Sequence, residues 1–171
     1  IPKTGGTSIE EELAAKNISV GRFEGRMRYK TERINCSRWH KPPVHTVPNS
    51  ITVVRDPLLR LESEFKYCYP IDKFRCNLFD FGSVGFEEWV QYTLTRAKYE
   101  RSLYDCHLIP QWEYAKWATK IIPLRCLSEH QTWEYLGKFF NGSNLTVQTR
   151  MVSSKSNVSL AHNISRNTYL L

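Results

Sequence analysis

Pro2-Lys3-Thr4-Gly5-Gly6-Thr7-Ser8, running on into Ile9-Glu10-Glu11-Glu12-Leu13-Ala14-Ala15, is a glycine turn that opens a helix. Two adjacent glycines let the backbone turn tightly and bring its N–H groups close to an anion. The helix is expected over Ser8–Ala15, from a serine near its start, acids in its first turn and apolar residues at helical spacing. Its unpaired N–H groups and the positive end of its dipole make the turn a phosphate-binding element. It is not a Walker A loop, because there the lysine follows the glycines and here Lys3 precedes them. A lysine on the strand side can reach a bond being broken instead of embracing a terminal triphosphate. Ile1 and Pro2 lead straight into the turn with no initiator Met, so the chain is expected to be a piece of a longer protein that lacks most of the strand feeding this turn.

Outward from the turn, strand and helix alternate. Ile51–Val54 (ITVV) is a β-branched run expected to be a buried strand, stopped by Asp56-Pro57. Leu58, Leu61 and Phe65 then repeat at helical spacing over Leu58–Tyr67. Phe86–Tyr99 reads as a helix with Phe86, Trp89, Val90, Leu94 and Ala97 turned inward, Lys120–Leu124 as a strand weakened by Pro123, and Thr132–Phe140 as a helix packed through Trp133, Leu136 and Phe140. Gln111–Thr119 is ambiguous, and Asn141–Asn167 is polar and reads as loop. No repeat or linker divides residues 1–171, so a single α/β domain is expected: three-layer and P-loop-like, with a mostly parallel central sheet flanked by helices.

The formal net charge of +7 favours a polyanionic partner, a condition that nucleic acid, a phosphorylated cofactor and an acidic polysaccharide all satisfy. A basic cluster at Arg22, Arg26, Arg28, Lys30, Arg33, Arg38 and Lys41 is equally consistent with a solvated face. Six of the nine asparagines (Asn17, Asn35, Asn141, Asn144, Asn157 and Asn163) begin an N-x-S/T sequon, an excess that argues for passage through the secretory pathway. Five cysteines suit a lumenal protein with disulfides, Cys68 and Cys76 being the local pair expected to bond. No C-x-x-C or paired histidine spacing marks a zinc site, and no metal is expected. No stretch reaches the apolar length of a membrane-spanning helix, so any anchor is expected upstream of Ile1.

Three further segments carry chemistry. In Val53-Val54-Arg55-Asp56-Pro57-Leu58-Leu59-Arg60-Leu61-Glu62-Ser63, Arg55 ends a strand and Ser63 lies two helical turns on, so a charged fork and a hydroxyl can face one anion. Cys36-Ser37-Arg38-Trp39-His40-Lys41-Pro42-Pro43 places a histidine, suited to act as a base near neutral pH, on a proline-stiffened loop. His45 competes with it, and Glu10 and Glu11 are carboxylate candidates better explained as helix N-terminal acids. Asp105-Cys106-His107-Leu108-Ile109-Pro110-Gln111 is followed by Trp112, Tyr114 and Trp117, aromatics that could stack on sugar rings or pack in a core.

Taken together, P-K-T-G-G-T-S and R-D-P…R-x-x-S, in that order and about fifty residues apart, resemble the 5′-phosphosulfate and 3′-phosphate segments of the sulfotransferases that use 3′-phosphoadenosine-5′-phosphosulfate (PAPS), specifically the Golgi carbohydrate enzymes of the uronyl 2-O- and heparan sulfate 6-O-type. The resemblance implies PAPS as donor and 3′-phosphoadenosine-5′-phosphate (PAP) as product. It implies Lys3 at the sulfuryl group and leaving oxygen, Thr4, Gly5, Gly6, Thr7 and Ser8 around the 5′-phosphate, and Arg55 and Ser63 at the 3′-phosphate. His40 lies where those enzymes carry their general base, and His107, within a stretch similar to their H-x-x-P-Q, would line the acceptor cleft. In the tail, Ser153, Ser154 and Lys155 could close over the nucleotide. The partner implied is a carbohydrate, acidic glycosaminoglycans included, and not nucleic acid; the location implied is the Golgi lumen, on a type II anchor outside residues 1–171. A P-loop nucleotide phosphotransferase and a non-catalytic polyanion-binding lectin are the competing expectations.

Overall fold

The computed structural model describes residues 1–18, 20–21, 29–71 and 84–140. Its order is α1 (Gly6–Ala15), β1 (Val47–Val54), α2 (Pro57–Ile71), α3 (Phe86–Ala97), the single turn α4 (Leu103–Cys106), α5 (Gln111–Ala115), β2 (Ala118–Pro123) and α6 (His130–Phe139), with 3₁₀ turns at Arg38–His40 and Leu124–Ser128. The tail from residue 141, the Cys68–Cys76 pairing, the arginines at 22, 26 and 28, and Ser153, Ser154 and Lys155 fall outside the described residues.

Among the described residues, β1 and β2 form a two-stranded parallel sheet, with Ile51, Thr52, Val53 and Val54 opposite Lys120, Ile121, Ile122 and Pro123. Parallel neighbours need a crossover, which α2 to α5 provide. The chain is thus mixed α/β, as expected. The strand begins four residues earlier than the β-branched run suggested. Pro48 and the left-handed Asn49 (φ 49°) interrupt its ladder between Val47 and Ile51, and the gap is closed by Thr119 Oγ1, which donates to the Ser50 carbonyl at 2.6 Å and accepts from the Ser50 amide at 2.9 Å.

The register partners Val53 and Ile122 share one sheet face and bury it against Ile9 and Leu13 of α1 and Trp133 and Leu136 of α6. A second core joins α2 to α3 through Phe65, Phe86, Trp89 and Val90. The start of α2 follows from local chemistry: Asp56 Oδ1 accepts the Leu59 amide at 3.0 Å, and Pro57 takes the first helical position, where its missing N–H costs nothing. Helix α1 begins at Gly6, earlier than expected, because Gly5 (φ 81°) makes the turn. A Cβ at Gly5 would lie 2.5 Å from Leu124 Cδ1, so both dihedral and space require glycine there.

Arg60 ties these parts together. Only 8% exposed, it donates from Nε to the Pro2 carbonyl at 3.2 Å, from Nη1 to Ile109 at 3.1 Å, and from Nη2 to His107. One guanidinium therefore holds the glycine turn, α2 and the His107 loop in one register. Removing it strands three carbonyls, each worth about 1–3 kcal/mol when left unpaired in the interior. Arg60→Ala should lower the thermal midpoint by roughly 6 °C or more, given about 2–4 °C per kcal/mol for a chain of this size. Arg96→Ala, which removes a solvent-facing contact to Glu100 and Tyr92, should leave it unchanged in the same melt.

Candidate active site

The Cys36–Ser37 loop meets the Tyr104–Cys106 turn. Tyr104, Asp105 and Cys106 have φ of 49°, 55° and 67°, three consecutive left-handed residues none of which is glycine. Such backbone costs roughly 1–2 kcal/mol per residue and persists only where its surroundings over-determine it. Each residue is pinned: the Tyr104 hydroxyl to Thr93 Oγ1 at 3.3 Å, Asp105 to the Ser37 amide and to His40, and Cys106 by a disulfide to Cys36. The turn aims the Asp105 carboxylate at the histidine loop.

His40 Nδ1 lies 2.8 Å from Asp105 Oδ2, so this nitrogen carries the proton and donates, leaving the Nε2 lone pair free of that bond. Burial, reinforced by the neighbouring His107 and opposed by Asp105, brings the imidazole pKa down to about 4. It is therefore neutral at pH 7. Burial alone would raise the Asp105 carboxyl, but bonds from Ser37 and His40 hold it below its ordinary value. The competing His45 is occupied by backbone: Nδ1 donates to the Thr46 carbonyl at 2.9 Å and Nε2 accepts the Lys30 amide at 3.2 Å, so it has no lone pair to offer as a base.

His107 forms a second dyad. Its Nδ1 donates to Glu64 Oε2 at 2.8 Å, and its ring meets that of His40 edge-on, centroids 4.5 Å apart. Contact continues to the glycine turn: the Tyr67 ring is 6.3 Å from His107, and Lys3 Nζ stands over the Tyr67 ring at 3.9 Å. Lys3 is itself left-handed (φ 59°), which turns its side chain back across α2. Its ammonium pKa is lowered, by burial first and by the positive Arg55 in addition, with Glu64 opposing.

Arg55 closes the other side. Its Nη1 donates to the Lys3 carbonyl at 3.4 Å, and its own backbone is clasped by Gln111, whose Oε1 accepts the Arg55 amide at 2.8 Å while Nε2 donates to the Arg55 carbonyl at 2.7 Å. Ser63 is half-buried on α2, and its hydroxyl has no hydrogen bond among the described residues. The Gly6 and Thr7 amides, first in their helix, have no intrahelical acceptor. Ser8 is different, since its amide donates back to Gly5 at 3.2 Å.

Two of these side chains have structural roles. The Thr4 hydroxyl is buried and donates to the Ile1 carbonyl at 2.7 Å, so only the Thr4 backbone is left for a phosphate. Tyr114 cannot stack on a sugar, because it is buried with its hydroxyl donated to the His40 carbonyl at 2.7 Å. Trp112 (60% exposed) and Trp39 (40%) are open to solvent, the Trp39 ring 5.8 Å from that of His40. Sequence inspection passed over Asp105, Glu64, Tyr67 and Gln111 as functional residues, and the ligand atoms of His40, Asp105 and His107, all within 4.8 Å of one another, form a cluster that no local spacing announces.

The Cys36–Cys106 bond spans a separation of 70 residues, for which chain entropy alone gives roughly 4 kcal/mol. The Cys36→Ser/Cys106→Ser double variant should melt correspondingly lower, checked by calorimetry, and should loosen the packing that buries His40, checked by a rise of the His40 imidazole pKa in NMR titration. Cys126 has no disulfide partner among the described residues. No protein family, curated protein or solved structure matches the chain.

Proposed function

We propose that this chain is the catalytic domain of a PAPS-dependent carbohydrate sulfotransferase, its parallel sheet belonging to a three-layer P-loop-like frame. The observation that carries the proposal is the unbroken run of contacts from Asp105 through His40, His107 and Tyr67 to Lys3, with Arg55 against the Lys3 carbonyl. A neutral carboxylate-backed imidazole and a phosphate-type turn are thereby joined by one run of side chains. PAPS supplies an activated sulfuryl group and departs as PAP. Its fit rests on the Gly6 and Thr7 amides, which lack an intrahelical acceptor, for the 5′-phosphate, and on Arg55 and the Ser63 hydroxyl, unbonded among the described residues, for the 3′-phosphate.

In this mechanism His40 Nε2 takes the acceptor hydroxyl proton as that oxygen forms its bond to sulfur, and Asp105 steadies the imidazolium. Lys3 donates to the bridging oxygen as its bond to sulfur breaks, offsetting the charge that accumulates there. The side chains require no metal for either step. The Cys36–Cys106 disulfide and the sequons support a lumenal, Golgi setting; no helix among the described residues is long and apolar enough to cross a membrane.

Incubation with PAPS carrying labelled sulfate and a panel of glycans tests the proposal. Transfer to a sugar hydroxyl supports it. Transfer from ATP instead would assign a phosphotransferase, and glycan binding without transfer a lectin; either sinks it. Arg55→Ala should raise the KM for PAPS by about 10–100-fold, the worth of a hydrogen-bonded charge at about 1.5–3 kcal/mol, with kcat changed far less.

A further inference from the structure

The mechanism uses one of two carboxylate-backed imidazoles. His40 and His107 each donate Nδ1–H to a carboxylate, Asp105 and Glu64 respectively, at 2.8 Å. This bond does two things: it fixes the tautomer with the lone pair on Nε2, and it raises the basicity of that nitrogen. The same carboxylate–histidine arrangement holds imidazole ligands on metal ions. Here it occurs twice, on rings whose centroids are 4.5 Å apart and whose planes stand at 79°. Nitrogens about 2.0–2.1 Å from one zinc ion lie roughly 3 Å from each other, so two rings at this spacing are within reach of a common ion. Asp105, bonded to His40 Nδ1 on the opposite edge of the ring from Nε2, stands outside the ion's own shell and orients its ligand.

We propose that His40 and His107 form a binding site for a divalent transition ion of the zinc class, and that occupancy blocks the cleft instead of serving catalysis. The ligand set points to the class of ion. Imidazole nitrogens suit Zn²⁺, Cu²⁺ or Ni²⁺, whereas Mg²⁺ and Ca²⁺ demand oxygen ligands. The consequence follows from the lone pair: an ion on His40 Nε2 occupies the orbital that would accept the acceptor proton. Two protein nitrogens with water completing the shell make a weaker site than the four-ligand structural kind. The blocking half of the inference rests on the proposed function, but binding itself does not.

Equilibrium dialysis of the full chain against ZnCl₂ and, separately, MgCl₂ tests binding without any turnover. One Zn²⁺ per chain that His40→Gln and His107→Gln each weaken at least tenfold, that Asp105→Asn weakens by about 10–100-fold as an outer-shell change does, and that His130→Gln leaves alone is the expected result. Circular dichroism establishes that each variant is folded. Should either variant fail to fold, carbethoxylation of the unaltered chain mapped by mass spectrometry provides the second measurement: Zn²⁺ and not Mg²⁺ should protect His40 and His107 together. Zn²⁺ affinity unchanged in both folded variants, or modification of the two rings at the same rate with and without Zn²⁺, overturns the site. In the labelled-sulfate assay, micromolar Zn²⁺ should abolish transfer and a chelator restore it; zinc bound at these histidines with transfer undiminished overturns the blocking role. A chain that transfers nothing from PAPS under any condition but binds zinc through both rings refutes the proposed function and upholds the ion site.

Discussion

Turnover falls by about 10²–10⁴-fold when His40 is replaced by alanine, the usual worth of a positioned general base, while the KM for PAPS and the thermal midpoint change little. The specificity of the prediction lies in its control. His45, the competing histidine, is five residues away, yet both its nitrogens are committed to backbone, so His45→Ala should retain wild-type turnover. Equal loss in the two variants would mean that neither is the base. The pH dependence follows from the same environment. With its pKa drawn down to about 4, by burial first and the adjacent His107 second, His40 stays unprotonated through the mildly acidic range, and the acid limb of kcat/KM should fall near pH 4 instead of the ordinary 6.5. Stability has the matching sign. Between pH 6.5 and 4 the unfolded chain protonates this imidazole and the folded chain does not, so the contribution is fully present above pH 6.5 and is lost as pH falls through the folded value. In His40→Ala that part of the acid destabilisation should be absent from melts recorded across the interval.

What the sequence disclosed and what it hid divide along the range of the interactions. The glycine turn, the Asp56-Pro57 start of α2 and the inward stripe of α3 are local: dihedral freedom, a cap and a period set them, and all are visible in a window of ten residues or so. Val47–Ser50 was missed as strand because Pro48-Asn49-Ser50 carries turn chemistry, which the parallel partner β2 and the Thr119 hydroxyl override through contacts far along the chain. The site shows the same division more sharply. His40 stood out as a residue type on a stiff loop, but its partner Asp105 lies 65 residues away and Glu64 lies 43 residues from His107. Neither pairing leaves a spacing to detect. In Tyr104-Asp105-Cys106 only Asp105 is of a type that favours left-handed backbone, and three such residues in succession are sustained by the disulfide, the Thr93 contact, the Ser37 amide and His40.

Lys3→Ala should reduce turnover by about 10²–10³-fold, the cost of removing one preorganised donor aimed at charge that develops in the transition state. The residue's setting makes this more than loss of a surface charge. Lys3 is held in left-handed backbone, its ammonium rests on the face of Tyr67, and Arg55 donates to its carbonyl, so the cation is placed before substrate arrives. Lys3→Arg should not restore full rate, because a planar guanidinium cannot reproduce a compact ammonium seated on an aromatic ring. Tyr67→Leu, which keeps bulk and removes the π face, should fall between Lys3→Ala and wild type, and its defect should lie in kcat and not in the KM for PAPS. Burial and Arg55 also lower the lysine pKa, so the alkaline limb of the rate profile should begin below the 10.5 of an ordinary lysine. In Arg55→Ala the opposing charge is gone and that limb should move up in pH. A limb that stays in place, or a Lys3→Ala variant that turns over normally, would remove Lys3 from the chemistry and leave the glycine turn as a binding element alone.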